Sequence, residues 1–401
     1  MTEPALDRDR IASLLAARGG QDPVVSLYLR AWGEPGDRRG TLKNLVREAE
    51  QAIEADPDWG TEHKTQARAL LQRVQSQGEG LLSGMPTQGR GCHALFTRDG
   101  GVEAIRVPVD LPDRLIVDRS PYASPLSSVL DQYERYGVVL CDEKRAILFE
   151  SYLGEVSGWE ELESEHERHR GAPSGGPQRT ATRTRPGNYQ GLEALRRRNH
   201  ADYVLHQHLA EVADRVFRRH KVRPYDRLIL GGNEQVIPKL EARLHSYLKP
   251  RVVAREALPL SLSPKDANER IAAIEARVEQ EKEAELLQTV QDQLGATGLA
   301  TAGLDETLRS LYFGQVDTLI VPDGEGMPGC QCPGCNLLWE QPPSTGALEC
   351  PACRELAHRV PDVIDQAVEL AIVSGASVEH VAYEQAKLRE LGGAAALLRF
   401  K

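Results

Sequence analysis

The chain of 401 residues contains no run of 18 apolar residues, so no segment has the length and hydropathy of a transmembrane helix. Its first residues, Met1-Thr2-Glu3-Pro4-Ala5-Leu6-Asp7-Arg8, lack the apolar stretch of a secretory signal, and the expectation is a cytoplasmic protein with no membrane partner. The full glycine fingerprint of a dinucleotide site is missing too. Gly231-Gly232 stands without it, and reads as a tight strand-to-helix turn rather than a phosphate cradle. Residues 1–123 carry no catalytic constellation. Lysine is scarce, 10 of the 49 basic residues with the rest arginine, a bias that suits phosphate binding and equally reflects the base composition of a genome.

What is present suits a soluble globular protein: 40% hydrophobic and 27% charged residues, in a length that accommodates two or three domains with cores of their own. Helices are expected at residues 9–18, 42–55 and 65–82, with a buried strand at 24–29 ending in a Gly33-Glu34-Pro35-Gly36 turn. Short strands follow at 92–97, 102–108 and 114–118. The period predicts a hairpin of strands at 136–141 and 146–150, a long helix over 192–220, a strand at 225–230 and a helix at 236–248. Ser263-Pro264-Lys265-Asp266 looks like an N-cap with proline in the first turn, opening a helix that runs to Gly295. A helix at 304–312, a strand at 318–321, a helix from Pro361 to Gly375, and strands at 378–382 and 394–400 complete an alternation that indicates α/β layers, behind an α+β N-terminal part.

Two segments carry chemistry. The first is Cys332-Pro333-Gly334-Cys335 with Cys350-Pro351-Ala352-Cys353, two Cys-x-x-Cys knuckles 14 residues apart. Four thiolates at this spacing suit a closed, structural tetrahedral Zn2+ site. Cys330 could replace Cys332 by register, His358 is a weaker ligand candidate, and an iron–sulfur cluster or a redox dithiol pair are the alternatives. Cys92 and Cys141 fall in strand patterns and read as small core residues.

The second segment is residues 166–198, basic and without helix or strand period. It holds eight arginines, Arg168, Arg170, Arg179, Arg183, Arg185, Arg196, Arg197 and Arg198, against Glu167 and Glu193. The segment is thus about +6 in a chain of net charge -10. Arginine forks bind phosphate bidentately, and such a loop would be held open by self-repulsion until a polyanion neutralises it, so RNA or another phosphate-rich partner is expected. A solvated surface insertion is the alternative.

The arrangement resembles the archaeo-eukaryotic peptide-chain release factor and Pelota family, in particular its bacterial branch, across nearly the whole chain. The resemblance is strongest at residues 303–308 and 311–319, at the cysteine knuckles, and at residues 375–379 and 392–399. It implies three domains: residues 1–123, an N-terminal α+β domain; residues 124–256, a central α/β domain with the basic loop; and residues 257–401, a ribosomal-protein-like α/β domain with a zinc ribbon at 328–356 that recruits partner GTPases. The family carries a Gly-Gly-Gln tripeptide on its basic loop, which enters the peptidyl transferase centre. Here the corresponding run is Gly175-Gly176-Pro177-Gln178, so the catalytic candidates are Gly175, Gly176 and Gln178 with a proline between them. No decoding tetrapeptide is found in residues 1–123. The implied function is binding at the ribosomal A site, against rRNA and peptidyl-tRNA, in ribosome rescue or hibernation. Peptidyl-tRNA hydrolysis is the second reading, and a zinc protein for a structured RNA outside the ribosome is the third.

Overall fold

The computed structural model describes residues 11, 13–15, 22–98, 101–164, 189–296, 298–324, 326–340 and 348–400. The chain is α/β and divides into two compact units, Met1–Gln132 with Glu279–Lys401, and Tyr133–Val278.

The first unit begins with the fully apolar strand β1 (Val24–Arg30), followed by helices α1 (Pro35–Ala55) and α2 (Thr61–Leu82). Helix α1 starts seven residues before its expected start, because Pro35 lacks an N–H to lose and its fixed φ suits the first turn. The two helices bury Leu42, Val46, Ala49 and Ile53, and Ala67, Leu71, Val74 and Leu82, at the three- and four-residue spacing of one helix face. Both pack on a sheet formed by β1 with β2 (Cys92–Arg98), β3 (Gly101–Val107) and β4 (Arg114–Asp118), in the order β3-β2-β1-β4. Helix α3 (Ser124–Gln132), not expected from the sequence, closes this segment.

The second unit holds β5 (Tyr136–Cys141), β6 (Arg145–Tyr152), β7 (Glu155–Glu163), helix α4 (Tyr189–Val222), β8 (Arg227–Gly232), the short helix α5 (Ile237–Arg243), β9 (Val252–Glu256) and the start of helix α6 (Pro264–Ala296). Its five-stranded sheet runs β7-β6-β5-β8-β9, with β5, β8 and β9 parallel. Alternate residues go to opposite faces. Val139, Cys141, Leu148, Leu228 and Leu230 face α4 and α5, while Val138, Leu140, Ile147, Phe149 and Ile229 face Ala267, Ile271, Ile274 and Val278 of α6. Gly231-Gly232 ends β8 rather than turning into a helix. Gly232 pairs with Cys141 at φ +115°, where a Cβ would lie 2.1 Å from the Cys141 carbonyl oxygen, so the glycine serves strand-to-strand approach. Strands β7 and β9 had no sequence signal: β7 is a sheet edge with mostly half-exposed and exposed residues.

The C-terminal segment of the first unit adds β10 (Ala300–Ala302), α7 (Leu304–Tyr312), β11 (Val316–Pro322), β12 (Gly329–Gln331), β13 (Leu338–Glu340), β14 (Leu348–Glu349), β15 (Leu356–Val360), α8 (Val363–Val373), β16 (Ser377–Val381), α9 (Gln385–Glu390) and β17 (Ala395–Leu398). Strands β10-β17-β11-β16 form one sheet. Leu319 and Val321 face α7 and α8, and Ile320 faces α9 and the second half of α6. The expected helix at residues 9–18 lies mostly outside the described residues.

A buried polar seam joins the two segments of this unit. The Asp362 carboxylate caps α8, accepting from the backbone N–H of Ile364 (3.0 Å) and Asp365 (3.4 Å), and also accepts from Met327 N (3.1 Å) and the Tyr122 hydroxyl (2.9 Å). Asp365 accepts from Ser124 N at 2.7 Å, and Gln366 Nε2 donates to Asp118 (3.1 Å) and Ser120 (2.9 Å). Arg359 pairs with Asp58 at 3.0 Å. Burial pushes the Asp118 carboxyl up to about 7, despite the lowering effect of the Arg119 N–H and guanidinium; the nearby Glu369 and Asp362 charges reinforce the rise. Asp365 is raised well above the carboxylate range, first by burial and then by Asp362.

An acid whose folded pKa exceeds its unfolded value costs stability as pH rises from about 4 towards 7, because the folded state is the one that holds the proton. Asp118→Asn should therefore leave the thermal midpoint unchanged near pH 4 and raise it at pH 8, by about 2–4 °C per kcal/mol recovered. Calorimetry across pH 4–8 reads this. A midpoint lowered equally at all pH values would assign Asp118 a role as an ionised acceptor instead.

Candidate metal centre and basic segment

The four cysteines come together on a small ribbon, β13-β12-β15-β14. Each knuckle is a hairpin tip of the same design. In the first, Cys332 N donates to Leu337 O (3.0 Å), Asn336 N donates to Cys332 O (2.9 Å), and Asn336 takes φ +60°. In the second, Cys350 N donates to Glu355 O (2.8 Å), Arg354 N donates to Cys350 O (3.0 Å), and Arg354 takes φ +63°. The left-handed residue after each Cys-x-x-Cys turns the chain back so that both sulfurs of a knuckle point one way.

The four Sγ atoms all lie within 4.8 Å of one another, with Cys332 to Cys353 at 3.4 Å and Cys335 to Cys350 at 3.5 Å. A tetrahedron with metal–sulfur bonds of about 2.3 Å has edges near 3.8 Å, so the group has the size of a tetrathiolate site. Burial works against the Cys350 thiolate, but N–H groups of Cys353 and Ala352 and the adjacent thiols outweigh it and bring Cys350 down to about 7. Burial also dominates at Cys332, which rises to about 12. Four sulfurs this close can shed their protons together only with a cation among them, and these four cysteines could hold a metal ion.

Cys330 and His358 are not part of this group. Cys330 is buried on β12 opposite Arg359 and Trp339, and His358 sits opposite Gln331 on β15. Burial and the Arg119 charge drop His358 to about 4. Alternation explains the selection: strand residues two apart share a face, but Cys332 has left the strand for the knuckle. The ribbon is rooted in the larger core, with Leu338 and Val360 buried beside Val363 of α8 and Leu308 of α7.

Gly175, Gly176, Gln178, Arg168, Arg170, Arg179, Arg183 and Arg185 lie outside the described residues. Arg196, Arg197 and Arg198 fall on the first turns of α4, where the backbone is described and the side chains are not. Cys92 and Cys141 are buried in strands, and burial raises each thiol to about 12, as suits inert core residues.

Residues 121–294 match the model of bacterial archaeo-eukaryotic release factor family 10. Peptide chain release factor subunit 1 of Thermococcus onnurineus is 23% identical over 431 aligned positions, covering 98% of this chain and 97% of the relative. The same factor from Archaeoglobus fulgidus is 24% identical over 309, covering 71% and 70%. Among solved structures, Archaeoglobus fulgidus Pelota aligns over 78% of this chain and 80% of its own, at 15% identity and TM-score 0.32. Dom34 of S. cerevisiae aligns over 77% and 80%, at 9% identity and TM-score 0.40. The chain is thus similar to archaeal peptide chain release factors along most of its length, and the match to bacterial archaeo-eukaryotic release factor family 10 spans the second unit and its flanks.

Cys332, Cys335, Cys350 and Cys353 could hold a metal ion, and if they do, replacing Cys350 with serine should abolish stoichiometric metal in elemental analysis of purified protein. The root at β13 and β15, held by Leu338 and Val360, should keep the unit folded, with loosening confined to the knuckles in amide exchange. Purified parent protein that carries no metal, or iron with a visible absorbance band, would remove the zinc assignment.

Proposed function

We propose that this protein is a ribosome-binding translation factor that works in the cytoplasm at the A site of stalled or idle ribosomes, in rescue or hibernation, largely without hydrolysis. The observation that carries this is the near end-to-end similarity to an archaeal peptide chain release factor subunit 1. The three-part organisation at 1–123, 124–256 and 257–401 belongs to the proposal, as do a structural Zn2+ on Cys332, Cys335, Cys350 and Cys353 and a translational GTPase partner.

The basic segment supplies the RNA contact. It leads directly into α4, so its arginines and Arg196–Arg198 at the helix start present one continuous positive surface in sequence. Contacts of this kind with rRNA and peptidyl-tRNA release counterions, which makes affinity fall with salt. Hydrolysis is disfavoured by Pro177. A glutamine that positions water against an ester must be held closely, and misplacement of about 1 Å costs on the order of a hundredfold in rate. Proline between the glycine pair and Gln178 fixes φ, restricts Gly176 towards extended conformations and shifts Gln178 by up to roughly 3.3–3.6 Å along the chain. Peptidyl-tRNA hydrolysis remains the second reading because Gly175, Gly176 and Gln178 are all present and the relatives bear the release-factor name.

Co-sedimentation with ribosomes across a salt series should give a steep fall of log affinity with log salt. Changing Arg196, Arg197 and Arg198 together to alanine should flatten that slope by about two units if all three touch phosphate. No binding to ribosomes would leave a structured RNA elsewhere as the partner.

On ribosomes carrying peptidyl-tRNA, the parent should release little peptide over background, and Gln178→Ala should change that little. Deleting Pro177 restores a contiguous Gly-Gly-Gln and should raise release. Rapid release by the parent, lost in Gln178→Ala, would replace the first reading with the second.

A further inference from the structure

The flank of the second unit built from α4, α5 and residues 244–251 carries a strip of cations and aromatic rings that the metal centre and the arginine segment leave unused. The distance from His206 to Lys221 along α4 is about 22 Å, at 1.5 Å per residue. At one end the Arg243 guanidinium of α5 meets the His206 imidazole. Further along, Phe217 stacks flat on His245, with centroids 3.9 Å apart and planes at 7°, and the Lys221 ammonium sits 4.5 Å from the Phe217 centroid. Tyr247 leans on His245 at 4.9 Å and is 68% exposed. Lys249 donates to Ala242 O at 3.0 Å, and Arg251 to Asp226 O at 3.3 Å.

None of Lys221, Lys239, Arg243, Lys249 and Arg251 pairs with a carboxylate among the described residues, although Glu241 lies near Lys249 and other carboxylates lie along α4. Asp214 is taken by Arg218, Glu160 by Arg215, Glu150 by Arg219 and Glu241 by Arg255. The helix dipole accounts for Lys221 at the end of α4. Arg243 and Lys249 likewise donate to the last-turn carbonyls of α5, Lys239 O and Ala242 O, but the dipole does not account for Lys239 or Arg251, nor for a tyrosine ring left open beside a histidine–phenylalanine stack. A solvated basic face needs no such ring. Cations spaced along a strip, interleaved with a stacking platform, are the chemistry that holds a single nucleic-acid strand.

We infer that this strip binds single-stranded RNA, its phosphates tracking Lys239, Arg243 and Lys249 while an unpaired base stacks on the open face of Tyr247. That the strand is RNA rests on the translation reading above. The mode of binding rests on the geometry of the strip alone.

The test uses the full-length protein and a fluorescein-labelled 12-nucleotide oligo(U) RNA, read by anisotropy across a salt series, with a fully paired RNA hairpin as comparison. Tyr247→Ala should weaken oligo(U) binding by about tenfold, whereas Tyr247→Phe, which keeps the ring, should stay near the parent. Lys239→Ala with Lys249→Ala should reduce the salt slope by about 1.4, roughly 0.7 for each phosphate contact on a single strand. Both effects should persist when Arg196, Arg197 and Arg198 are alanine, which separates the strip from the basic segment. The assay contains no ribosome, so a failure to co-sediment with ribosomes does not alter its outcome. Parent-like binding by Tyr247→Ala, or a hairpin bound as well as oligo(U), would reduce the strip to a general cation patch and overturn the proposal. Unchanged affinity in the lysine double variant would overturn it as well.

Discussion

The first unit depends on the Asp362 carboxylate. It lies 240 residues from Tyr122 in sequence, yet it caps α8, orders Met327 and accepts the Tyr122 hydroxyl. Bringing such distant segments together carries a loop-closure cost that grows only slowly with length, but burying a charge at the junction costs far more unless hydrogen bonds satisfy it. Here they do. Asp365, Gln366, Asp118 and Ser120 extend the network, and Arg359 with Asp58 continues it towards the ribbon. Removing one partner from such a seam leaves another polar group buried and unpaired, which is why it specifies one arrangement of the two segments.

The cysteine ribbon depends on this frame on one side and on its own thiols on the other. Its roots are apolar residues shared with α7 and α8, so the frame holds β13 and β15. Its tips are two knuckles whose only common purpose is to point four sulfurs inward. Cys353 is exposed while Cys332 and Cys350 are buried, as expected for a site at the outer edge of a small domain.

The second unit shows a different division of labour. Its sheet is apolar on both faces, with α4 and α5 on one and α6 on the other. The same helix that buries Leu209, Val212 and Val216 carries Arg196–Arg198 at its start and Phe217 and Lys221 near its end.

Much of this was legible in the sequence, for a reason that differs between features. Two Cys-x-x-Cys knuckles declare themselves because two sulfurs from one hairpin tip are local: spacing fixes the geometry within a knuckle, while pairing of the ribbon strands brings the two knuckles together. Strands β1, β5, β8 and β11 and helices α4 and α6 were equally plain, since period and length are local properties of the chain. Strands β7 and β9 were hidden because edge strands are ordered by the neighbour they pair with, and Gly231-Gly232 looked like a turn because its close approach to Cys141 is a tertiary fact. The same limit hid the Asp118, Asp362 and Asp365 seam, whose members come from segments some 240 positions apart. It also hid the row from His206 to Tyr247, which becomes a row only when α5 packs on α4. Sequence determined which groups are present and which local turns they make. Tertiary packing alone decided which of them meet, because long-range burial and pairing depend on the whole sheet order rather than on any one stretch.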